Sequence, residues 1–184
     1  MTNRLFIALE IPENVLDKVI TIRDEIYGED RFVRWEGKEK LHITLKFLGD
    51  VEESKTELII DALKETANKY RKIKCSFNKF GIFFKDHILR ILWGEIEYEN
   101  HLNDIVNEIE DRMEKIGFSK EKRRFKAHFT ILRIKGREDK EKINKFVQHN
   151  FDKIDYTAEN ISLIKSELLP KGSVYKRIET FKLI

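Results

Sequence analysis

The stretches LHITLKFL at residues 41–48 and AHFTILRI at residues 127–134 carry the same tripeptide, His-x-Thr, as His42-Ile43-Thr44 and His128-Phe129-Thr130. Both stretches are apolar and rich in β-prone residues, which predicts two strands. Side chains two apart point to the same face of a strand, so each presents an imidazole beside a hydroxyl. With five histidines in the chain, two such tripeptides would arise by chance in roughly 2% of sequences. The repeat therefore predicts one site built from both halves of the chain.

The pattern around each tripeptide predicts an approximate duplication. The expected order in each half is a helix, the His-x-Thr strand, a second helix and a pair of strands. Helices are expected from Pro12 and at 52–70, 100–116 and 138–149, with further strands at 73–84, 88–96, 159–168 and 173–183. Gly49 and Asp50 are expected to end the first His-x-Thr strand, with Asp50 and Glu53 forming a capping box for the next helix.

Helices interspersed with antiparallel strands predict an α+β fold. We expect a bilobal arrangement with pseudo-twofold symmetry, in which two antiparallel sheets face a central cleft and the helices lie outside. Residues 1–184 are expected to form a single two-lobed domain, since this length fits one domain or two small lobes.

Composition excludes several classes of site. The net charge of +3 is too small to predict nucleic-acid binding by itself, so any anion site must come from local arrangement. The lone Cys75 excludes an intrachain disulfide and fits the reducing cytoplasm, where we expect the protein to be. No stretch has the length of a membrane span, and no glycine-rich phosphate loop or ligand cluster predicts a metal or cofactor.

Two histidines on facing strands can act as one general acid and one general base near neutral pH. Displacement at phosphorus needs such a pair on opposite sides, one group activating water and the other protonating the leaving oxygen. Thr44 and Thr130 would then donate hydrogen bonds to phosphate oxygens, although a β-branched residue also simply suits a strand. The residues alone leave open which histidine is the acid.

Other residues are candidates for substrate contacts. Lys46 has the same parity as His42 and is expected at the cleft or on the solvated surface, whereas Arg133 has the opposite parity to His128 and reaches the cleft only if a bulge intervenes. Trp35 and Tyr175 could stack a base or pack in the core. The basic run at residues 120–126 could steer RNA or remain a solvated loop.

The segments WEGKEKLHITLKFLGD at 35–50, FKAHFTILR at 125–133 and LIKSELLPKGSVY at 163–175 resemble the RNA 2′,3′-cyclic phosphodiesterases, formerly called 2′-5′ RNA ligases, of the two-histidine phosphoesterase superfamily. The resemblance extends over the chain, but His87-Ile88-Leu89-Arg90 lacks the proline that often precedes the arginine in that family. It implies hydrolysis of RNA 2′,3′-cyclic phosphate ends to 2′-phosphates without a metal, and reversible 2′-5′ ligation as a side activity. By resemblance, His42 is the proton donor and His128 the proton acceptor. The implied partner is an RNA with a cyclic phosphate end, for example a tRNA half, acted on by a monomer away from membranes.

Two other functions fit the same residues. One is hydrolysis of 2′-5′ oligonucleotides or of a small cyclic nucleotide. The other is a nucleotide- or RNA-binding module without turnover, although a pure binder would not need two matched titratable groups. An unrelated domain with two coincidental tripeptides is a further alternative.

Overall fold

The computed structural model describes residues 2–28, 30, 32–170 and 172–184. Its eight strands are β1 Thr2–Glu10, β2 His42–Glu52, β3 Ile73–Lys85, β4 Ile88–Tyr98, β5 His128–Arg133, β6 Ile154–Ala158, β7 Asn160–Leu169 and β8 Gly172–Lys182. Its four α-helices are α1 Glu13–Tyr27, α2 Thr56–Ala67, α3 His101–Lys115 and α4 Lys140–Gln148.

The strands form two antiparallel four-stranded sheets. Sheet A has the order β2-β1-β7-β8, and sheet B has the order β5-β4-β3-β6. Helix α4 packs on β3, α2 packs on β7 and β8, and the helices pair as α1 with α4 and α2 with α3. The predicted α+β class with two antiparallel sheets and covering helices is confirmed.

Each sheet contains strands from both halves of the chain. The pair β3–β4, which follows the first His-x-Thr strand in sequence, joins the second His-x-Thr strand in sheet B. The pair β7–β8 returns to sheet A beside β1. Neither His-x-Thr strand is therefore in a sheet made from its own half alone.

Three local predictions are wrong. Strand β2 continues through Gly49 and Asp50 to Glu52, and Gly49 adopts a positive φ of 72° inside it. Helix α2 begins at Thr56, after a short 3₁₀ turn, and its N-terminus has no side-chain cap. Strand β6, whose five residues were not predicted, pairs with β3 and completes the edge of sheet B.

The helix-covered faces of the sheets form the main core. Leu5, Ile7 and Leu9 of β1 are at most 1% exposed, and Ile43 of β2 is fully buried beside them. Phe129 of β5 is 1% exposed in the same core. The residues between these positions, including both histidines and both threonines, point to the opposite faces of the sheets. No helix among the described residues is long and apolar enough to cross a membrane.

Gly94 permits this packing of the second His-x-Thr strand. A Cβ atom built on Gly94 would lie 2.2 Å from Cζ of Phe129, whose ring has no room to move in the core. Overpacking of this kind costs about 1–3 kcal/mol.

We therefore expect Gly94→Ala to lower the free energy of unfolding by about 2 kcal/mol, measured by urea denaturation. The matched control is Gly37→Ala, because the atoms that a Cβ at Gly37 would meet belong to the movable carboxylate of Glu39. A loss of stability as large in Gly37→Ala as in Gly94→Ala would contradict this explanation.

Candidate active site

Both His-x-Thr strands have a one-residue β-bulge at the same distance from the histidine. Against β1, the register passes from Ala8↔Thr44 to Ile7↔Lys46, which leaves Leu45 as the extra residue. Against β4, it passes from Trp93↔Thr130 to Leu92↔Leu132, which leaves Ile131 as the extra residue. A bulge reverses the alternation of faces beyond it. The first six residues of the two strands consequently share one burial pattern, with the histidine and threonine half-buried and the sixth residue exposed.

The expected orientation of Lys46 is wrong because of this bulge. Lys46 is 5% exposed, and its ammonium group forms an ion pair with Glu110 of α3. The same Nζ donates a hydrogen bond to the carbonyl of Ser119 at 2.9 Å. Lys46 thus links β2 to α3 on the helix-covered face of the sheet. The next residue, Phe47, is exposed on the cleft side, and its ring centroid lies 5.9 Å from that of Phe6.

The equivalent bulge in β5 brings Arg133 to the cleft, which the regular alternation of a strand did not predict. The positive charge of Arg133 lies close enough to His42 to lower the pKa of its imidazole. The Arg133 Nε lies 3.2 Å from a carboxylate oxygen of Glu36, whose backbone N–H donates to the carbonyl of Ile131 at 2.8 Å. Arg133 remains 56% exposed, so it is held in place yet accessible to an anion.

His42 lies in an aromatic environment on sheet A. Its ring stacks on Phe6 with centroids 4.9 Å apart, and the edge of Tyr175 approaches at 5.6 Å. Its Nδ1 is buried and has no hydrogen-bond partner among the residues that the structure describes. Burial is the main cause that lowers the pKa of His42 to about 4, and the positive charges of Arg133 and His128 act in the same direction.

His128 is oriented by a backbone contact. Its Nδ1 lies 2.8 Å from the carbonyl oxygen of Lys126. A carbonyl only accepts, so Nδ1 carries the hydrogen and Nε2 is the basic nitrogen of the neutral ring. Phe83 and Trp93 contact the imidazole edge-on, with centroids 5.4 and 5.9 Å away.

The aromatic support of His128 depends on Gly81. The ring of Phe83 stacks on Trp93 at 4.8 Å, and Lys126 Nζ lies 4.1 Å from the centroid of the Trp93 ring. A Cβ atom on Gly81 would lie 2.4 Å from the indole, so only glycine lets Trp93 lie flat across the sheet.

The two candidate aromatic contacts differ in position. Tyr175 lies at the cleft, against His42 and Phe6. Trp35 instead packs between Tyr27 and Phe146, with centroids 5.2 and 5.9 Å away, and therefore belongs to the contact between α1 and α4.

The structure brings together the two histidines, the two threonines, Arg133 and Tyr175. The set contains two imidazoles in different environments and one accessible guanidinium. The guanidinium and hydroxyls can bind a phosphate, and the imidazoles can transfer protons on either side of it. Among the residues that the structure describes, no group of three or more His, Cys, Asp or Glu side chains could hold a metal.

The unusual pKa of His42 can be tested in the free protein. We expect its imidazole signals in an NMR titration to shift near pH 4, and Arg133→Gln to move this midpoint to higher pH by removing a repulsive charge. Because the folded form binds fewer protons than the unfolded form between pH 4 and about 6.5, the contribution of His42 to stability should be present above about pH 6.5 and fall as the pH drops to 4. An unshifted midpoint in the native protein would contradict the desolvation of this ring.

This chain is similar to known proteins over nearly its whole length. The family model described as LigT like Phosphoesterase matches residues 9–93 and 95–175. The protein named RNA 2′,3′-cyclic phosphodiesterase from Methanothermobacter thermautotrophicus is 30% identical over 185 residues, with 100% of both chains covered. The protein of the same name from Methanocaldococcus jannaschii is 33% identical and covers 96% of this chain and 98% of its own.

Solved structures show the same fold. TT0787 of Thermus thermophilus has a TM-score of 0.81 at 22% identity, covering 98% of this chain and 97% of its own. E. coli LigT complexed with 3′-AMP has a TM-score of 0.76 at 18% identity, covering 100% and 99%.

Proposed function

Since this chain belongs to the LigT like Phosphoesterase family, we propose that it hydrolyses the 2′,3′-cyclic phosphate at the 3′ end of RNA and leaves a 2′-phosphate. The observation that carries the proposal is the matched pair of bulged His-x-Thr strands, which face one cleft and have an accessible arginine at the end of the second strand. Relatives that align over nearly the whole chain have the corresponding name. We further propose that residues 1–184 act as one two-lobed domain, because each sheet takes strands from both halves.

In the proposed mechanism, His128 accepts a proton from water through Nε2. The hydrogen bond from Nδ1 to the Lys126 carbonyl keeps this nitrogen free and stabilises the imidazolium that forms. The activated water attacks phosphorus, and the bond from phosphorus to the 3′ oxygen breaks. His42 protonates that leaving oxygen from the other sheet. Thr44, Thr130 and Arg133 stabilise the charge that develops on the non-bridging oxygens.

The low pKa of His42 couples its protonation to substrate binding. In the free protein, burial together with the charge of Arg133 keeps this imidazole neutral at pH 7. A bound phosphodiester places a negative charge beside it, which raises its pKa and favours the imidazolium that the donor role requires. Tyr175 and Phe47 flank this side of the cleft and offer aromatic faces for the terminal base.

The same groups could run the reaction backwards. Attack of a 5′-hydroxyl in place of water would join it to the cyclic phosphate and form a 2′-5′ linkage. The hydrolysis of small 2′,3′-cyclic nucleotides is the second candidate function, because all the proposed catalytic groups contact the terminal nucleotide only.

The central test uses an RNA hexanucleotide ending in a 2′,3′-cyclic phosphate, with release of the 2′-phosphate end followed by chromatography in EDTA. We expect the native protein to be active in the chelator, and His42→Ala and His128→Ala each to lower kcat by about 10²–10⁴-fold. His87→Ala is the matched control, because His87 lies in the exposed turn between β3 and β4. Native activity that is lost in EDTA and restored by a divalent ion would refute the metal-free mechanism.

The pH dependence tests the assignment of donor and acceptor. The native profile is the same whichever histidine is the acid, so the residual activity of His42→Ala is measured across pH. If His42 is the donor, this variant should lose the decline of kcat at high pH and keep the rise at low pH. A variant that keeps the decline and loses the rise would show that His42 is the base and that the two roles are exchanged.

A further inference from the structure

Four exposed cations lie where β5 ends, beside the hairpin that joins β3 and β4. We call Lys85, Arg90, Lys135 and Arg137 the hairpin-end patch. The backbone N–H of Ile134 donates to the carbonyl of Arg90 at 2.8 Å, which places the hairpin next to the segment that carries the other two cations. All four side chains belong to exposed residues.

Their charge is not neutralised locally. Within the described part of the chain, none of the four has a carboxylate at ion-pairing distance. The neighbouring Glu138 uses one carboxylate oxygen to accept the backbone N–H groups of residues 135, 136 and 137, at 2.9–3.0 Å. The patch therefore presents a concentrated positive potential to solvent.

The basic run at residues 120–126, which by sequence could steer RNA or remain a solvated loop, is different. Lys120 forms ion pairs with Asp111 at 2.5 Å and Glu114 at 3.3 Å. Lys126 lies 3.6 Å from Glu95, and its Nζ is also above the ring of Trp93. Arg123 also lies 4.0 Å from Glu121, so three of the five cations in this run have a carboxylate partner.

The backbone of the hairpin-end patch adjoins strand positions of the proposed active site. Arg90 is adjacent to Ile91, which pairs with Arg133 across the sheet. Ile91 also pairs with Phe83, whose ring contacts His128. Phe84, which lies between Phe83 and Lys85 in the sequence, is 62% exposed. Cations along the backbone path combined with an exposed aromatic face are the usual elements of a single-strand binding surface.

We propose that the hairpin-end patch binds the phosphodiester backbone of single-stranded RNA on the 5′ side of the cyclic phosphate. This inference rests on the proposed function, because a terminal phosphate held by the histidines fixes where the strand must leave the cleft. A cyclic phosphate end has nucleotides on its 5′ side only, so one strand carrying one negative charge per nucleotide must follow. The patch would make the protein favour RNA over cyclic mononucleotides.

The test compares two triple variants that remove the same number of charges. Arg90→Gln/Lys135→Gln/Arg137→Gln alters the patch and leaves Arg133 in the site, whereas Lys120→Gln/Lys122→Gln/Arg123→Gln alters the basic run and includes two of its ion-paired cations. For each, kcat/KM is measured with 2′,3′-cyclic AMP and with the hexanucleotide at several salt concentrations.

We expect the patch variant to lower the ratio of hexanucleotide to mononucleotide kcat/KM by about tenfold at low salt. The slope of log kcat/KM for the hexanucleotide against log salt should become shallower by about 2, as expected for three lost phosphate contacts on a single strand. The basic-run variant should keep the native ratio. An unchanged ratio in the patch variant, or an equal fall in both variants, would overturn the proposal.

Failure of the proposed function would be distinguishable. If the native protein hydrolyses neither substrate, that function is wrong, and binding of a fluorescent hexanucleotide with a 3′-phosphate is measured by anisotropy. Weaker binding by the patch variant alone would support the patch as an RNA surface. Equal binding by all three proteins would overturn it.

Discussion

The candidate site depends on a single extra residue in each of two strands. Leu45 and Ile131 interrupt the ladders three residues after the histidines, and the residues that directly follow them change face. Without these bulges, Lys46 would point into the cleft and Arg133 away from it. The bulge in β2 therefore buries Lys46, whose charge Glu110 neutralises. The bulge in β5 leaves Arg133 exposed at the cleft.

The two halves of the site are related in backbone geometry and different in chemistry. His42 is desolvated between Phe6 and Tyr175 and has no partner for Nδ1, whereas His128 is oriented by a backbone carbonyl. Such a difference in environment separates the protonation behaviour of two identical side chains. A symmetric cleft would give two equivalent imidazoles, and acid–base catalysis in one direction needs two distinct ones.

Electrostatics link this site to its surroundings. Arg133 and His128 disfavour a proton on His42 in the free protein, so an anionic ligand and a proton favour each other's binding. The same preference for anions continues outside the cleft, where the cations of the hairpin-end patch lack carboxylate partners among the described residues. The lysine and arginine residues of the 120–126 run are as dense in sequence, yet carboxylates of α3 and β4 form ion pairs with two of them, Lys120 and Lys126.

The α+β class, the strand character of the two His-x-Thr stretches and the pairing of imidazole with hydroxyl could all be predicted from the amino-acid sequence. These follow from local rules, because the alternation of a strand places His and Thr together whatever the rest of the chain does. The faces of Lys46 and Arg133 were settled by tertiary structure, since a bulge arises from the pairing of one strand with its neighbour and leaves no mark in its own periodicity. The same holds for the exchange of β3–β4 and β7–β8 between sheets, and for Trp35 packing against Phe146 while Tyr175 packs against His42. Those outcomes depend on contacts between residues far apart in the chain, which a single sequence does not display.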